Sequence, residues 1–152
     1  MGNTLNADFT EFIEALNKAE VSYMLVGGYA VIFHGYNRTT GDLDIWVKAD
    51  SENYKRLQKA FSFFGMSLFD MTEERFLKTG NYDVFTFGRP PICIEILTAV
   101  KGLEFETAYT NSKVQQFDGV PVRMIDIRDL IITKKSVNRS KDKDDLEHLG
   151  GY

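Results

Sequence analysis

The sequence predicts an α+β domain: a mixed sheet of about five strands backed by helices. Three observations carry this. Short β-branched and aliphatic runs such as Val21 to Val26 and Ile92 to Leu97 alternate with amphipathic helical stretches. Asp118-Gly119 separates two short alternating runs, the signature of an antiparallel hairpin. A helical pattern over Tyr54, Leu57, Ala60, Phe61 and Phe64 lies between strand-like segments, as a crossover between strands requires.

The elements follow in order. Asp8 is placed to cap a helix with Phe9, Phe12, Ile13 and Leu16 on one face, and Glu11 completes a capping box. Val21 to Val26 forms a strand ended by Gly27-Gly28, and Tyr29 to Phe33 a short helix stopped by Gly35. A polar turn leads to the strand Asp42 to Val47. Asp50 or Ser51 starts the crossover helix, which Gly65 ends. Met66 to Phe69 reads as a short edge segment, and Thr72 to Lys78 as a brief helix. Tyr82 to Phe87 alternates as a strand, Gly88-Arg89-Pro90-Pro91 turns, and Ile92 to Leu97 follows as a buried strand. Leu103 to Tyr109 is helical, the hairpin Val114 to Phe117 and Val120 to Met124 comes next, and Asp126 caps a helix through Leu130, Ile131, Lys134 and Val137. A charged segment, Lys134 to Leu146, closes the chain as a helix pair.

With 152 residues, 43% hydrophobic and 13% aromatic, the chain fits one domain with an ordinary core. No apolar run approaches the roughly 20 residues that span a bilayer, and the N-terminus lacks a secretory pattern, so a cytoplasmic location without membrane contact is expected. Cys93 is the only cysteine, which excludes an internal disulfide, and with two histidines it makes no zinc set. A formal charge of -4 argues against generic nucleic-acid binding, although a local basic groove stays compatible with it.

The chemistry is concentrated between Val26 and Val47. Strand side chains alternate, so Asp42 and Asp44 project from one face about 6–7 Å apart, while Leu43 and Ile45 enter the core. Such a like-charged pair is best tolerated with a cation between its members, and hard oxygen ligands favour Mg²⁺ or Mn²⁺. Glycines where a strand becomes a helix let another group approach the backbone, and the first helical amides attract anions. Arg38 either contacts phosphate or orders its loop; Thr39 and Thr40 cap, turn or ligate. Glu95 is the one charge in the run Ile92 to Leu97, so it is either solvated on an exposed face or turned to something positive. Neither Walker A nor G-x-G-x-x-G is present, which removes support for P-loop and Rossmann readings.

Gly27-Gly28 followed by Arg38-Thr39-Thr40-Gly41-Asp42-Leu43-Asp44 resembles the signature of the DNA polymerase β-type nucleotidyltransferase superfamily, and most nearly its small bacterial members, which include minimal nucleotidyltransferases and toxin-antitoxin components. The resemblance implies a nucleotidyltransferase-like fold and transfer of a nucleoside monophosphate from an NTP to a hydroxyl acceptor with release of pyrophosphate. It implies Asp42, Asp44 and Glu95 as catalytic carboxylates and ligands of Mg²⁺ (or Mn²⁺), and Gly27, Gly28, Tyr29, Arg38, Thr39 and Lys134 as the nucleotide-binding set. Many relatives carry Asp where this chain has Glu95. The terminal pattern resembles the close of the small-member group, in which Lys134 faces the phosphates and Asp142 and Asp145 pair with Arg139 or Lys141. The acceptor class stays open: small molecule, RNA end or protein hydroxyl. The alternative reading is a catalytically weak fold used as a binding module with a partner protein, such as a toxin-antitoxin component.

Overall fold

Phe9, Phe12, Ile13 and Leu16 line the buried side of helix α1 (Ala7–Lys18). Asp8 sits inside its first turn, where its charge opposes the helix dipole's positive end, and not at the cap the sequence suggests. The structure, a computed structural model, describes residues 7–36, 40–81, 84–89, 92–137 and 140–149.

Strand β1 (Tyr23–Val26) is wholly buried and passes directly into helix α2 (Gly27–Phe33). The glycine pair therefore forms the first turn of α2, two residues earlier than the apolar run Tyr29 to Phe33 indicates. Strand β2 (Asp42–Val47) returns beside β1. Helix α3 (Ser51–Phe64) begins at Asp50, whose carboxylate accepts a 2.7 Å hydrogen bond from the Asn53 amide. It ends at Gly65 in the left-handed conformation, φ +83°, as a glycine cap should. Asn53 is 2% exposed and joins three segments. Its Oδ1 accepts from Ser22 N at 2.8 Å, and its Nδ2 donates to the Lys48 and Ser22 carbonyls at 2.8 and 3.1 Å.

Met66 to Phe69 is irregular rather than an edge strand. Its neighbourhood is held by the Tyr54 hydroxyl donating to the Met71 carbonyl at 2.7 Å. Thr72 caps helix α4 (Glu73–Leu77). Strand β3 (Val84–Arg89) pairs with strand β4 (Ile92–Leu97) through Gly88↔Cys93 and Arg89↔Ile92. The sequence assigns Gly88-Arg89 to the turn, but they extend the strand; residues 82–83 and 90–91 lie outside the described set. Helix α5 (Phe105–Asn111) starts two residues later than expected. Strands β5 (Lys113–Phe117) and β6 (Val120–Met124) form the hairpin, with Asp118 and Gly119 both at positive φ, 53° and 79°, as a two-residue turn matched to strand twist demands. Helices α6 (Ile127–Val137) and α7 (Ser140–Leu149) pack on one another at the end of the chain.

Among the described residues the mixed sheet has six strands, in line with the expected sheet of about five, in the order β3-β4-β2-β1-β6-β5. β1 is antiparallel to β2 and parallel to β6, while β2 runs parallel to β4. Leu43, Ile45, Ile94, Ile96, Phe85 and Phe87 are buried on one face. Helices α1 and α3 cover it: Phe61 meets Phe12 edge-to-face at 5.6 Å and Phe87 at 4.9 Å. Each buried Phe or Leu side chain adds about 1.5–3 kcal/mol to the core. The opposite face carries Asp42, Asp44 and Glu95. No described helix is long and apolar enough to cross a membrane.

Candidate functional site

Register builds the site. Asp44 stands opposite Val26 of β1 on one side and Glu95 of β4 on the other, and Thr86 of β3 stands opposite Glu95. These four residues form one row across the sheet. Asp44 and Glu95 are partners on adjacent parallel strands, and their carboxyls come within hydrogen-bonding reach. Two residues before Asp44, Asp42 stands opposite Cys93 on the same face.

The electrostatics follow from this crowding. Burial, the hydrogen bond with Glu95, and the charges of Glu95 and Asp42 push Asp44 up to about 8, and Lys134 partly opposes them. Asp44 therefore keeps its proton near neutrality, as a carboxyl crowded by other carboxyls in a poorly solvated place does. Among the described residues Asp44 Oδ1 is buried without a hydrogen-bond partner. A buried acceptor left unmatched costs about 1–3 kcal/mol, which leaves it ready to take a cation or a donor.

Gly27 explains how the carboxylate fits. Its φ is +69°, and a Cβ built there would overlap Asp44 Oδ2 and lie 2.8 Å from Cγ. Only glycine permits both the backbone conformation and the contact. Gly28 is buried in the first turn of α2. Tyr29 packs edge-to-face on Phe9 at 5.6 Å and against Phe33, so its ring belongs to the helix packing.

Lys134 lies on α6 and is 6% exposed. Its Nζ is 3.1 Å from Asp145 Oδ2 on α7. The expected partners of Asp145, Arg139 and the Lys141 side chain, lie outside the described residues; among the described residues Asp145 meets Lys134 across the α6–α7 contact. Two signals announce this. Lys134 shares its helix face with apolar residues and needs a buried counter-ion, and Asp145 stands one turn before Leu149, which packs against the core. Arg38, Thr39 and Arg139 lie outside the described residues, as do the side chains of Lys141 and Asp142.

The structure thus brings together Asp42, Asp44, Glu95 and Gly27, with the Lys134 charge felt at Asp44. Among the described residues no group of three or more His, Cys, Asp or Glu side chains is poised to hold a metal ion. The donor chemistry nevertheless fits Mg²⁺ or Mn²⁺: hard carboxylate oxygens, one of them buried and unmatched. Mg²⁺ commonly takes one or two carboxylates and completes its octahedron with water and substrate phosphates rather than with an all-protein cage.

No curated protein sequence matches the chain significantly. Among solved structures the fold is similar to the crystal structure of an antigenic nucleotidyltransferase-like protein from Paracoccidioides brasiliensis, with a TM-score of 0.51 and 14% identity, covering 97% of this chain and 76% of that one. At that identity the likeness speaks for the fold. The family described as "Nucleotidyltransferase of unknown function (DUF6036)" matches residues 4–150, and the chain belongs to it.

Proposed function

We propose that the protein transfers a nucleoside monophosphate from an NTP to a hydroxyl acceptor. The observation that carries this reading is the Asp44–Glu95 pair, side by side on adjacent parallel strands with a buried Asp44 oxygen unmatched. A purely structural pair of carboxyls has no reason to accept that repulsion and desolvation. Asp42, Asp44 and Glu95 would hold Mg²⁺ or Mn²⁺, which supplies charge neutralisation at the phosphates and acidifies the acceptor hydroxyl.

The chain's own residues account for the rest. At rest Asp44 keeps its proton; giving it up to solvent frees a carboxylate there, while Glu95 accepts the acceptor's hydroxyl proton. The acceptor oxygen bonds to the α phosphorus, the bond from that phosphorus to the bridging oxygen breaks, and pyrophosphate departs with the electron pair. Lys134 neutralises charge on the departing phosphates, and the backbone at Gly27 and Gly28 offers amides to them.

Thermal-shift titration with each NTP, with and without Mg²⁺ or Mn²⁺, tests the reading. Metal-dependent stabilisation that disappears in Asp42→Asn/Asp44→Asn is expected. An indifferent melting curve overturns it in favour of a binding module that works through a partner protein, as in a toxin-antitoxin pair. Incubation with α-labelled NTP and cell extract then identifies the acceptor as small molecule, RNA end or protein.

A further inference from the structure

Lys134 and Asp145 form an ion pair with side-chain exposures of only 7% and 1%, across the contact between α6 and α7. For packing alone, a hydrophobic pair of similar volume serves such a place as well or better, because both charges must be stripped of water. This pair also has a direction. The Lys134 ammonium lies near enough to the carboxylate row for its charge to act on Asp44.

A second contact ties the same helix to the other flank of the site. His148, one turn after Asp145, stacks on Tyr36 with ring centroids 3.7 Å apart and planes 7° from parallel. Tyr36 ends the described segment before the connection that leads to Asp42. Helix α7 therefore touches both the element that carries Lys134 and the root of the loop that enters β2.

We infer that Asp145 is a positioning residue, which holds the Lys134 ammonium toward the carboxylate row, and that α7 is an integral wall of the nucleotide site. A lysine side chain has four rotatable bonds, and a fixed counter-ion narrows the orientations they sample. Anchored at 3.1 Å, its charge is available to a triphosphate without the entropic cost of collecting it. This inference rests on the transfer reading for its consequence, though not for its geometry.

Two measurements separate the two. In nucleotide-free protein, spectra of ¹⁵N-lysine-labelled chain should show the Lys134 ammonium protected from water exchange, identified by its disappearance in Lys134→Arg and lost in Asp145→Asn. An ammonium equally protected in Asp145→Asn overturns the positioning role. Next, binding of each Mg²⁺–NTP is compared among wild type, Asp145→Asn and the double variant Lys134→Met/Asp145→Leu. Asp145→Asn should weaken binding tenfold or more. The double variant should melt at or above the wild-type temperature and still bind no better than Asp145→Asn. Wild-type affinity in the double variant would mean that the pair only packs, and would overturn the inference. If the ammonium behaves as expected but wild type binds no nucleotide, the transfer reading falls and the positioning geometry stands.

Discussion

Gly27 and Asp44 lie so close that no side chain fits between them: a Cβ on Gly27 would fall 2.8 Å from Asp44 Cγ and overlap Oδ2. The strand end, the helix start and the carboxylate are thereby one unit, and what disturbs the glycine displaces the acid.

Gly27→Ala should therefore cost about 2 kcal/mol or more, the left-handed φ of +69° supplying part and the overlap the rest. It should abolish metal-dependent nucleotide stabilisation. Gly35→Ala is the control, since Gly35 has φ +112° but open space around it. It should lower the melting temperature and leave binding intact. Denaturant titrations and nucleotide thermal shifts of both variants decide the matter.

The Asp44 carboxyl gives a pH prediction with a definite sign. Its value of about 8 lies above the unfolded 3.8. Between those limits the folded protein keeps a proton that the unfolded chain has released. Metal-free stability from this group is thus greatest below about pH 4 and declines toward pH 8, by at most about 1.4 kcal/mol per unit. Urea unfolding in EDTA from pH 5 to 8.5 should show the decline, and Asp44→Asn should flatten it. With Mg²⁺ present the stabilisation by the ion should grow as pH rises, because the ion binds the ionised Asp44 carboxylate.

Asn53→Ala should destabilise the fold by about 2–4 kcal/mol, since it strands the Ser22 amide and the Ser22 and Lys48 carbonyls at once. Asn53 is remote from the carboxylate row. Nucleotide affinity of the surviving folded protein should be unchanged, which calorimetry at low temperature would check.

Local signals placed most elements. The Asp50 cap, the Gly65 stop and the Asp118-Gly119 turn each depend on a few neighbouring residues and so are visible in sequence. The β2–β4 pairing that joins Asp44 to Glu95 is what the family resemblance implies; the residues alone, one charge in an apolar strand, leave what Glu95 faces open. Met66 to Phe69 misled, since four apolar or small residues read alike as edge strand or as irregular chain packed under Tyr54. Gly88-Arg89 misled because the prolines behind them masked a strand that continues. Asn53 acts partly through Ser22, 31 residues away, and no local pattern states such a partner's address.

Cys93 is the chain's only sulfhydryl, 8% exposed and opposite Asp42 in the β2–β4 ladder. Burial first, then the charges of Asp42 and Glu95, push its thiol up. At neutral pH it should therefore resist iodoacetamide. A divalent ion that cancels the neighbouring negative potential should quicken alkylation, a change readable by mass spectrometry at one atom. The protein thus carries a native reporter of local potential, with no label to engineer and no acceptor to know in advance.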